Sequence, residues 1–287
     1  MNRIEKAQVI TIISNRYTVV VNHHEYVAVA MGKLRKQKSP VVGDFVEIEF
    51  FSDQIGIQKI YPRFNELRRP SIANVDQAVI VMSMVDPNFS TTLIDRLIFM
   101  IVLADIQPVL VITKTDKVPE TYFGYQAADD YQRAGYSVFL VNPESKATEL
   151  IPLFEDKVSV LTGQSGAGKS TLLNKLNPDF ELATQEPSKA LGRGKHTTRH
   201  TQLYAVAGGY VADTPGFSSM DFSTISAVEL SQKVPDFKPF LGQCKYANCI
   251  HHHEPGCRIK QAVHDHELSK DRYDHYIECL NMIEKEY

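Results

Sequence analysis

The spacing of hydrophobic and polar positions changes near residue 70. Before that point, three short segments are rich in β-branched and aromatic residues and are separated by Asn and Gly: 9–13, 17–21 and 26–30. Residues 43–50 then alternate apolar and charged side chains with a period of two, as a half-buried strand does. Several short strands within about sixty residues predict a small β-barrel, and the OB-fold is the first choice.

From residue 75 the pattern becomes an alternation of strands and helices. Residues 78–82 and 108–112 are continuous apolar runs, which are typical of parallel strands buried on both faces. Residues 91–105, between these runs, have helical spacing. Further strands are predicted at 137–141 and 158–161, with 206–212 as an additional candidate. This order predicts a parallel α/β sheet.

The segments on either side of this region differ from it. Residues 63–70 contain three arginines next to prolines and predict a linker. After Asp221 the chain becomes polar, loses its strands and ends in a helical segment at roughly 259–286. The predicted fold class is α/β, with a central sheet domain between an N-terminal OB-fold barrel and a mainly helical C-terminal domain.

Charge and composition narrow the class further. The net charge is −3, but residues 1–69 carry eleven Lys and Arg against seven Asp and Glu. The basic run 33–38 is either a solvated loop or a loop that contacts nucleic-acid phosphates. No apolar run reaches the ~20 residues of a membrane helix, and the N-terminus lacks a signal-peptide pattern. These observations predict a cytoplasmic protein without a membrane partner, and the absence of a dimerisation pattern favours a monomer.

A phosphate-binding loop is the clearest motif. Gly163-Gln164-Ser165-Gly166-Ala167-Gly168-Lys169-Ser170 follows a predicted strand and opens a helix at Thr171. Its glycines allow backbone N–H groups to face phosphates, and the helix N-terminus adds favourable partial charge. We expect Lys169 to bridge the β- and γ-phosphates and Ser170 to ligate Mg²⁺. The motif predicts a nucleoside triphosphate without specifying the base.

A guanine-reading segment, Thr113-Lys114-Thr115-Asp116, follows another predicted strand. The Asp116 carboxylate can accept hydrogen bonds from the ring N–H and exocyclic amine of guanine, and Lys114 can lay its stem along the purine. The common form of this motif begins with Asn, so Thr113 predicts a weaker tie between base loop and phosphate loop. The remaining base contact is expected in residues 142–146, from Ser145 or alternatively Asn142.

Two further segments resemble the switches of a GTPase. Asp213-Thr214-Pro215-Gly216 has the D-x-x-G pattern, in which Asp213 holds Mg²⁺ through water and the Gly216 N–H senses the γ-phosphate. In the glycine-rich segment 192–198, Thr198 is favoured over Thr197 as a Mg²⁺ ligand. Phe217 stands where a water-orienting Gln is common, so hydrolysis is expected to be slow unless another group acts. His196 is the candidate, although it could simply contact RNA or solvent.

The predicted GTP-binding set is Thr113, Lys114, Asp116, Gly163, Gln164, Ser165, Gly166, Ala167, Gly168, Lys169, Ser170, Thr171, Thr198, Asp213 and Gly216. Ser170 and Thr198 are its predicted magnesium ligands, and His196 is the predicted catalytic residue.

A metal cluster is predicted near the C-terminus. Cys244, Cys249, His251 and Cys257 lie within fourteen residues and supply three thiolates and one imidazole. That set fits a closed tetrahedral zinc site with a structural role. His252 or His253 could replace His251, and free buried cysteines are the alternative interpretation. Cys279 lies apart from the cluster and is expected to be a core residue.

The order of the motifs is unusual, because the base reader precedes the phosphate loop, as a circular permutation of a GTPase domain would produce. With the 192–198 segment, the D-x-x-G motif, the Cys–His cluster and the Arg272–Tyr276 stretch, the chain resembles the RsgA (YjeQ/YloQ) family of circularly permuted GTPases.

That resemblance implies an OB-fold RNA-binding domain at 1–66, a permuted GTPase domain at 67–220 and a zinc-binding domain at 221–287. It also implies GTP and GDP as ligands, and the small ribosomal subunit with its rRNA as partner. The implied activity is GTP hydrolysis that is slow alone and stimulated by the subunit during late maturation, with His196 taking part.

Two other functions stay open from the residues. One is an RNA-binding module that nucleotide stabilises without significant hydrolysis, which agrees with Phe217. The other is a P-loop ATPase or small-molecule kinase, which Asp116 argues against.

Overall fold

The computed structural model describes residues 3–32, 34, 39–68, 71–177, 202–212 and 225–284. As far as they are described, these residues form two compact units. The first draws on Met1–Val79, Ser145–Thr162 and Gly168–Gly216, and the second on Ile80–Glu144, Gly163–Ala167 and Phe217–Tyr287.

The N-terminal part of the first unit is a closed five-stranded barrel with the strand order β1-β2-β3-β5-β4. Its strands are β1 (Arg3–Ile13), β2 (Arg16–Val21), β3 (His24–Ala30), β4 (Phe45–Phe50) and β5 (Ile55–Ile60). Antiparallel pairing of β1 with β4 closes it. Alternate residues point inward, and Val9, Val19, Ala28, Ile48 and Ile57 have no exposed surface. The predicted OB-like barrel is confirmed.

The predicted linker at 63–70 is partly folded. Glu66–Arg68 (β6) and Ser71–Ala73 (β7) form an antiparallel hairpin. The Arg63 guanidinium donates to both carboxylate oxygens of the fully buried Asp44, at 2.6 and 2.7 Å. Because a buried, bidentate ion pair restricts both partners, this segment is held against the barrel.

A six-stranded sheet has the order β10-β9-β8-β11-β13-β12. Its strands are β8 (Gln77–Ser83), β9 (Gln107–Thr113), β10 (Ser137–Leu140), β11 (Val158–Thr162), β12 (Leu203–Val206) and β13 (Gly209–Ala212). Every residue of β8 and β11 is buried, as the apolar runs predicted. Strands β9 and β10 pair in parallel, as do β11 and β13. The predicted α/β class is confirmed.

One edge of the sheet differs from the prediction of a wholly parallel arrangement. The candidate strand 206–212 contains the last residue of β12, a turn and the whole of β13, and β12 and β13 pair antiparallel. The turn between them places Ala207 at φ 49° and Gly208 at φ 79°. Two consecutive positive φ values are typical of the tight turn of a hairpin, so the apolar run folds back on itself.

The helices connect these strands and make up most of the C-terminal part. They are α1 (Thr91–Leu103), α2 (Phe123–Arg133), α3 (Ala147–Phe154), α4 (Lys169–Leu176), α5 (Ala227–Lys233), α6 (Arg258–His264) and α7 (Lys270–Glu284). The helical segment predicted at 259–286 is interrupted between α6 and α7, where His266 has φ 60°. None of the helices in the described ranges is long and apolar enough to span a membrane.

Candidate functional site

The phosphate loop joins the buried strand β11 to helix α4 through a backbone that only glycine tolerates. Gly163 has φ 121°, and a Cβ there would lie 2.0 Å from the Val81 carbonyl oxygen. Gly166 and Gly168 also have positive φ, at 80° and 99°. With α4 beginning directly afterwards at Lys169, the loop has the strand–turn–helix context that its motif requires.

Two side chains at the start of α4 have unusual environments. Burial removes water from the Lys169 ammonium and lowers its pKa to about 8. The Ser170 side chain is buried, and its Oγ has no hydrogen-bond partner among the described residues. A buried hydroxyl without a hydrogen-bond partner destabilises a protein core, but such a hydroxyl fits the role of an oxygen ligand for a cation. These residues therefore fit a Mg²⁺-bound triphosphate.

The base loop is tied to the phosphate loop by Thr113. Its hydroxyl donates to the Ala167 carbonyl over 2.6 Å, whereas the Met82 carbonyl lies 3.4 Å away. The side chain is buried, so water does not compete for this bond. The threonine hydroxyl therefore supplies the donor of this tie in place of the amide of the common Asn.

Lys114 and Asp116 follow in a tight turn. Lys114 has a left-handed backbone, φ 56° and ψ 34°, and its ammonium donates to the Asp86 carbonyl. The next residues, Thr115–Lys117, form a 3-10 turn that leaves Asp116 exposed. Tyr125 Oη donates to the Thr115 carbonyl at 2.9 Å and steadies the turn. The anchor at Asp86 had no sequence signal, because a backbone carbonyl carries no residue preference.

The loop after β10 lies beside this turn. Thr115 Oγ1 donates to the Val141 carbonyl at 3.4 Å. The Asn142 side chain accepts from the Glu144 N–H at 2.9 Å and so shapes its own loop. A base contact from Ser145 or Asn142 stays a prediction.

The four predicted metal ligands come together. The ligand atoms of Cys244, Cys249, His251 and Cys257 all lie within 4.8 Å of one another. His251 Nδ1 is 3.6 Å from Cys244 Sγ and 3.5 Å from Cys257 Sγ, and the two sulfurs are 4.0 Å apart. Tetrahedral zinc bonds of about 2.0–2.3 Å imply ligand separations of about 3.5–3.8 Å, so the donor set fits a metal ion.

The loop that carries His251 is held by neighbouring side chains. The Glu254 carboxylate accepts from the N–H groups of Ile250 and His252 at 2.7 and 2.9 Å. Tyr273 and Tyr276 on α7 donate to the carbonyls of His251 and Ile250 at 2.8 and 2.6 Å. Burial raises the pKa of the Cys249 thiol to about 12 and lowers that of His251, so a bound cation would have to favour the thiolate.

The remaining predicted residues lie outside the described residues. They are His196, Thr197, Thr198, Asp213, Gly216 and Phe217. His252 and His253 are not part of the cluster; their rings stack at 3.5 Å.

Comparison with known proteins agrees with this architecture. The family model for the RsgA GTPase matches residues 60–223, and that for the RsgA N-terminal domain matches residues 6–57. The small ribosomal subunit biogenesis GTPase RsgA of Bacillus subtilis is 48% identical over 259 residues, covering 88% of this chain and 87% of that protein. RsgA 2 of Oceanobacillus iheyensis is 44% identical over 287 residues and covers 97% of both chains.

Solved structures show the same likeness. YloQ, described as a circularly permuted GTPase, superposes with a TM-score of 0.84 at 39% identity and covers 99% of this chain and 96% of its own. YjeQ from Thermotoga maritima gives a TM-score of 0.84 at 30% identity, with 98% and 99% covered. The base loop precedes the phosphate loop in the chain, and the strands that end in them, β9 and β11, lie on either side of β8 in one α/β sheet. With the family models and relatives that match it, the chain belongs to the RsgA family of GTPases.

Proposed function

We propose that this GTPase binds the small ribosomal subunit during late maturation and that the subunit stimulates its hydrolysis of GTP. The proposal rests on one structural observation, the Thr113–Ala167 bond that joins a guanine-reading turn to a phosphate loop. It is supported by relatives named as small ribosomal subunit biogenesis GTPases. Such a factor works in the cytoplasm.

We further propose roles for the individual residues. Asp116 accepts from guanine, the backbone N–H groups of 163–168 and Lys169 hold the phosphates, and Ser170 and Thr198 ligate Mg²⁺. Asp213 and Gly216 respond to the γ-phosphate. The Cys244–Cys249–His251–Cys257 cluster holds one structural zinc ion, because three thiolates and an imidazole suit zinc better than magnesium or calcium. The domain boundaries at 66 and 220 belong to the same proposal.

The test is GTP hydrolysis with and without purified small ribosomal subunits, with ATP as the control nucleotide. The expected result is strong stimulation of GTP turnover by subunits and no turnover of ATP. GTP binding without subunit-stimulated hydrolysis would favour the alternative of a nucleotide-stabilised RNA-binding module.

His196 is proposed to orient the attacking water, since Phe217 cannot. His196→Ala is therefore expected to bind GTP like the unaltered protein and to lose most subunit-stimulated turnover, about 100-fold or more. Nucleotide affinity is measured by fluorescence titration and turnover by phosphate release. Full stimulated turnover in this variant would remove the role.

A further inference from the structure

Two lysines of the barrel lie over aromatic rings on its outer surface. Lys6 Nζ is 4.5 Å from the centre of the Phe45 ring and 5.5 Å from that of Tyr61. Lys59 Nζ lies 5.3 Å from the Tyr61 ring. We call these four residues the Tyr61 surface. Their arrangement combines two cations with two flat apolar faces in one place.

The strands position this surface. In the β1–β4 ladder Lys6 lies opposite Glu47, and in the β4–β5 ladder Glu47 lies opposite Lys59. Residues directly opposite one another in a ladder point to the same face of the sheet, so both lysines point outward. The Tyr61 N–H donates to the Phe45 carbonyl at 2.9 Å, which places Tyr61 next to the strand carrying Phe45. The surface is thus formed before any ligand arrives.

The lysines remain available for an anion. Within the described ranges, neither Lys6 nor Lys59 forms an ion pair, although Glu47 stands between them in the ladder. Their ammonium groups lie over rings instead, an interaction worth only about 0.5–1 kcal/mol at exposed sites. A phosphate, which offers a full charge and hydrogen bonds, would compete well for them.

A concave space adjoins the Tyr61 ring. A cavity of about 390 Å³ is lined by Leu34, Lys59, Tyr61 and Pro62, among others. Its volume lies within the range of about 300–1,000 Å³ that is common for small-ligand sites. The lining combines apolar side chains with the cations Lys59 and Arg63, which suits a flat heterocyclic ring attached to a phosphate.

The surface that OB-folds commonly use, around β2 and β3, is different here. Its outward positions include Thr18, Val20 and Val27, with Arg16 as a cation and Glu25 as an anion. Thr11, on the neighbouring strand β1, forms a β-bridge with Gln202. This side of the barrel therefore offers less charge complementarity to a phosphate chain than the Tyr61 surface.

We infer that the Tyr61 surface binds a single-stranded RNA segment, with an unpaired base against Tyr61 and Phe45 and the neighbouring phosphates on Lys6 and Lys59. Aromatic stacking combined with lysine contacts is how single strands are held without strict sequence preference. The inference rests on the proposed function, which supplies RNA as the partner, and it names the surface that takes it.

The test is fluorescence anisotropy with the full-length protein and a labelled oligouridine of about 12 nucleotides, within the site sizes of OB-folds. Tyr61→Ala is expected to weaken binding by about 5- to 150-fold, and Tyr61→Phe to bind like the unaltered protein, because stacking needs the ring and not the hydroxyl. Glu47→Gln is expected to bind more tightly, since it removes an anion beside the phosphates.

Salt dependence separates this site from general attraction. Lys6→Gln and Lys59→Gln should each lower the slope of log affinity against log salt by about 0.7, the value for one phosphate contact with a single strand. Arg16→Gln removes the same charge from another face of the barrel and is the matched control, with an expected unchanged slope. Folding of every variant is checked by its affinity for GTP, which should not change.

Three results would overturn the inference: full affinity in Tyr61→Ala, equal losses in Tyr61→Ala and Tyr61→Phe, or an equal effect of Arg16→Gln and the two lysine variants. Its failure is distinguishable from failure of the proposed function. If subunits stimulate hydrolysis by the unaltered protein but Tyr61 has no role in RNA binding, only the inference is contradicted. If RNA binding depends on Tyr61 but subunits do not stimulate GTP hydrolysis, only the proposed function is contradicted.

Discussion

Among single residues, one hydroxyl connects the two loops of the proposed nucleotide site. Thr113 carries a single hydroxyl proton, and the 2.6 Å distance to the Ala167 carbonyl places that proton there and not on Met82. A short buried hydrogen bond of this kind restricts both loops, because no water is available to replace Thr113 as the donor to the Ala167 carbonyl. The base reader and the phosphate loop are therefore held in register before nucleotide binds.

Thr113→Val removes this bond while keeping the shape of the side chain. The Ala167 carbonyl is then left without its partner, and a hydrogen bond of ~0.5–1.5 kcal/mol predicts a roughly 2- to 13-fold weaker affinity for GTP. A fluorescent GTP analogue measures the dissociation constant. Thr113→Ser keeps the hydroxyl and is the matched control; equal affinities of the Val and Ser variants would contradict the prediction.

Lys169 predicts a pH dependence of nucleotide binding. Its pKa of about 8 in the nucleotide-free protein must rise when phosphates approach the ammonium. The affinity for nucleotide then does not depend on the titration of Lys169 well below pH 8 and falls as pH rises through 8. In that pH range, nucleotide binding is accompanied by proton uptake. Calorimetry between pH 6.5 and 9, in buffers of different ionisation enthalpy, measures the proton uptake.

Lys169→Arg is the control for that experiment, because its guanidinium stays charged throughout this range. Whatever the affinity of this variant for GTP, the pH dependence of that affinity should reflect only the titration of the nucleotide. An identical pH profile in the variant and the unaltered protein would exclude Lys169 as the source.

Local sequence patterns predict the phosphate loop but not the partners of the base loop. The phosphate loop was predictable because its glycines encode a local backbone, and Gly163 does have the positive φ that its motif implies. The partner of Thr113 lies 54 residues further along the chain, so no local pattern indicates it. The Asp86 carbonyl, which accepts a hydrogen bond from Lys114, likewise has no local sequence pattern that indicates it.

At the scale of elements, helix α7 is joined to α1 by a buried polar cluster. The Asp95 carboxylate has no exposed surface and accepts from Tyr131 Oη at 2.6 Å and from His275 Nδ1 at 2.5 Å. His275 Nε2 lies 2.9 Å from Thr92 Oγ1. Burial raises the pKa of Asp95, while the bond to Asp95 raises that of His275.

His275→Ala is expected to loosen α7, because it leaves a buried carboxylate with one partner fewer, a change that costs ~3–5 kcal/mol in buried pairs. Hydrogen exchange of the α7 amides measures the loss of protection. Glu278→Gln breaks only the exposed pair with Arg96 and should change protection by less than ~1 kcal/mol. Equal effects of the two variants would contradict the argument.

The pH dependence of this cluster has a definite sign. Because the pKa of His275 is raised in the folded protein, its contribution is fully present below the ordinary value of about 6.5 and is lost as pH rises through the raised value. The difference in α7 protection between the unaltered protein and His275→Ala should therefore shrink between pH 6 and pH 9. A difference that grows over this range would show that the neutral imidazole is the favoured partner.

Elements are predictable where one period dominates a segment. The all-buried strands β8 and β11 follow from their apolar runs, whereas 206–212 resembles a single strand because its turn contains an apolar Ala207. Residues 63–70 resemble a linker because arginines and prolines are typical of solvated chain. The pairing of Arg63 with Asp44 is a tertiary contact that composition cannot indicate.

In the whole molecule, the order of the motifs predicts a circular permutation of the GTPase domain. The strand ending in the base loop precedes the strand ending in the phosphate loop, yet both lie in one sheet. A consequence of this order is that Ile80–Glu144, with the base loop, and Phe217–Tyr287, with the Cys–His cluster, belong to the same compact unit. A metal bound by the cluster should therefore stabilise the unit that holds the proposed guanine-reading turn.

Metal removal tests this link, and the chain supplies a matched pair of cysteines. Cys249→Ala deletes a predicted ligand, whereas Cys279→Ala deletes a buried cysteine of α7 outside the cluster. The first should lose about one zinc per chain and most hydrogen-exchange protection in α6 and α7, because metal-binding energy is folding energy at such sites. The second should keep its zinc.

Protection in the barrel should be unchanged in both, since β1–β5 lie in the other unit. Because Tyr273 and Tyr276 bind the carbonyls of the ligand loop, the loosening should begin at α7 and extend to α1 through His275 and Asp95. Zinc content by mass spectrometry and exchange by segment measure the two effects together. Loss of zinc without loss of protection in α7 would show that the cluster holds its metal for a purpose other than stability.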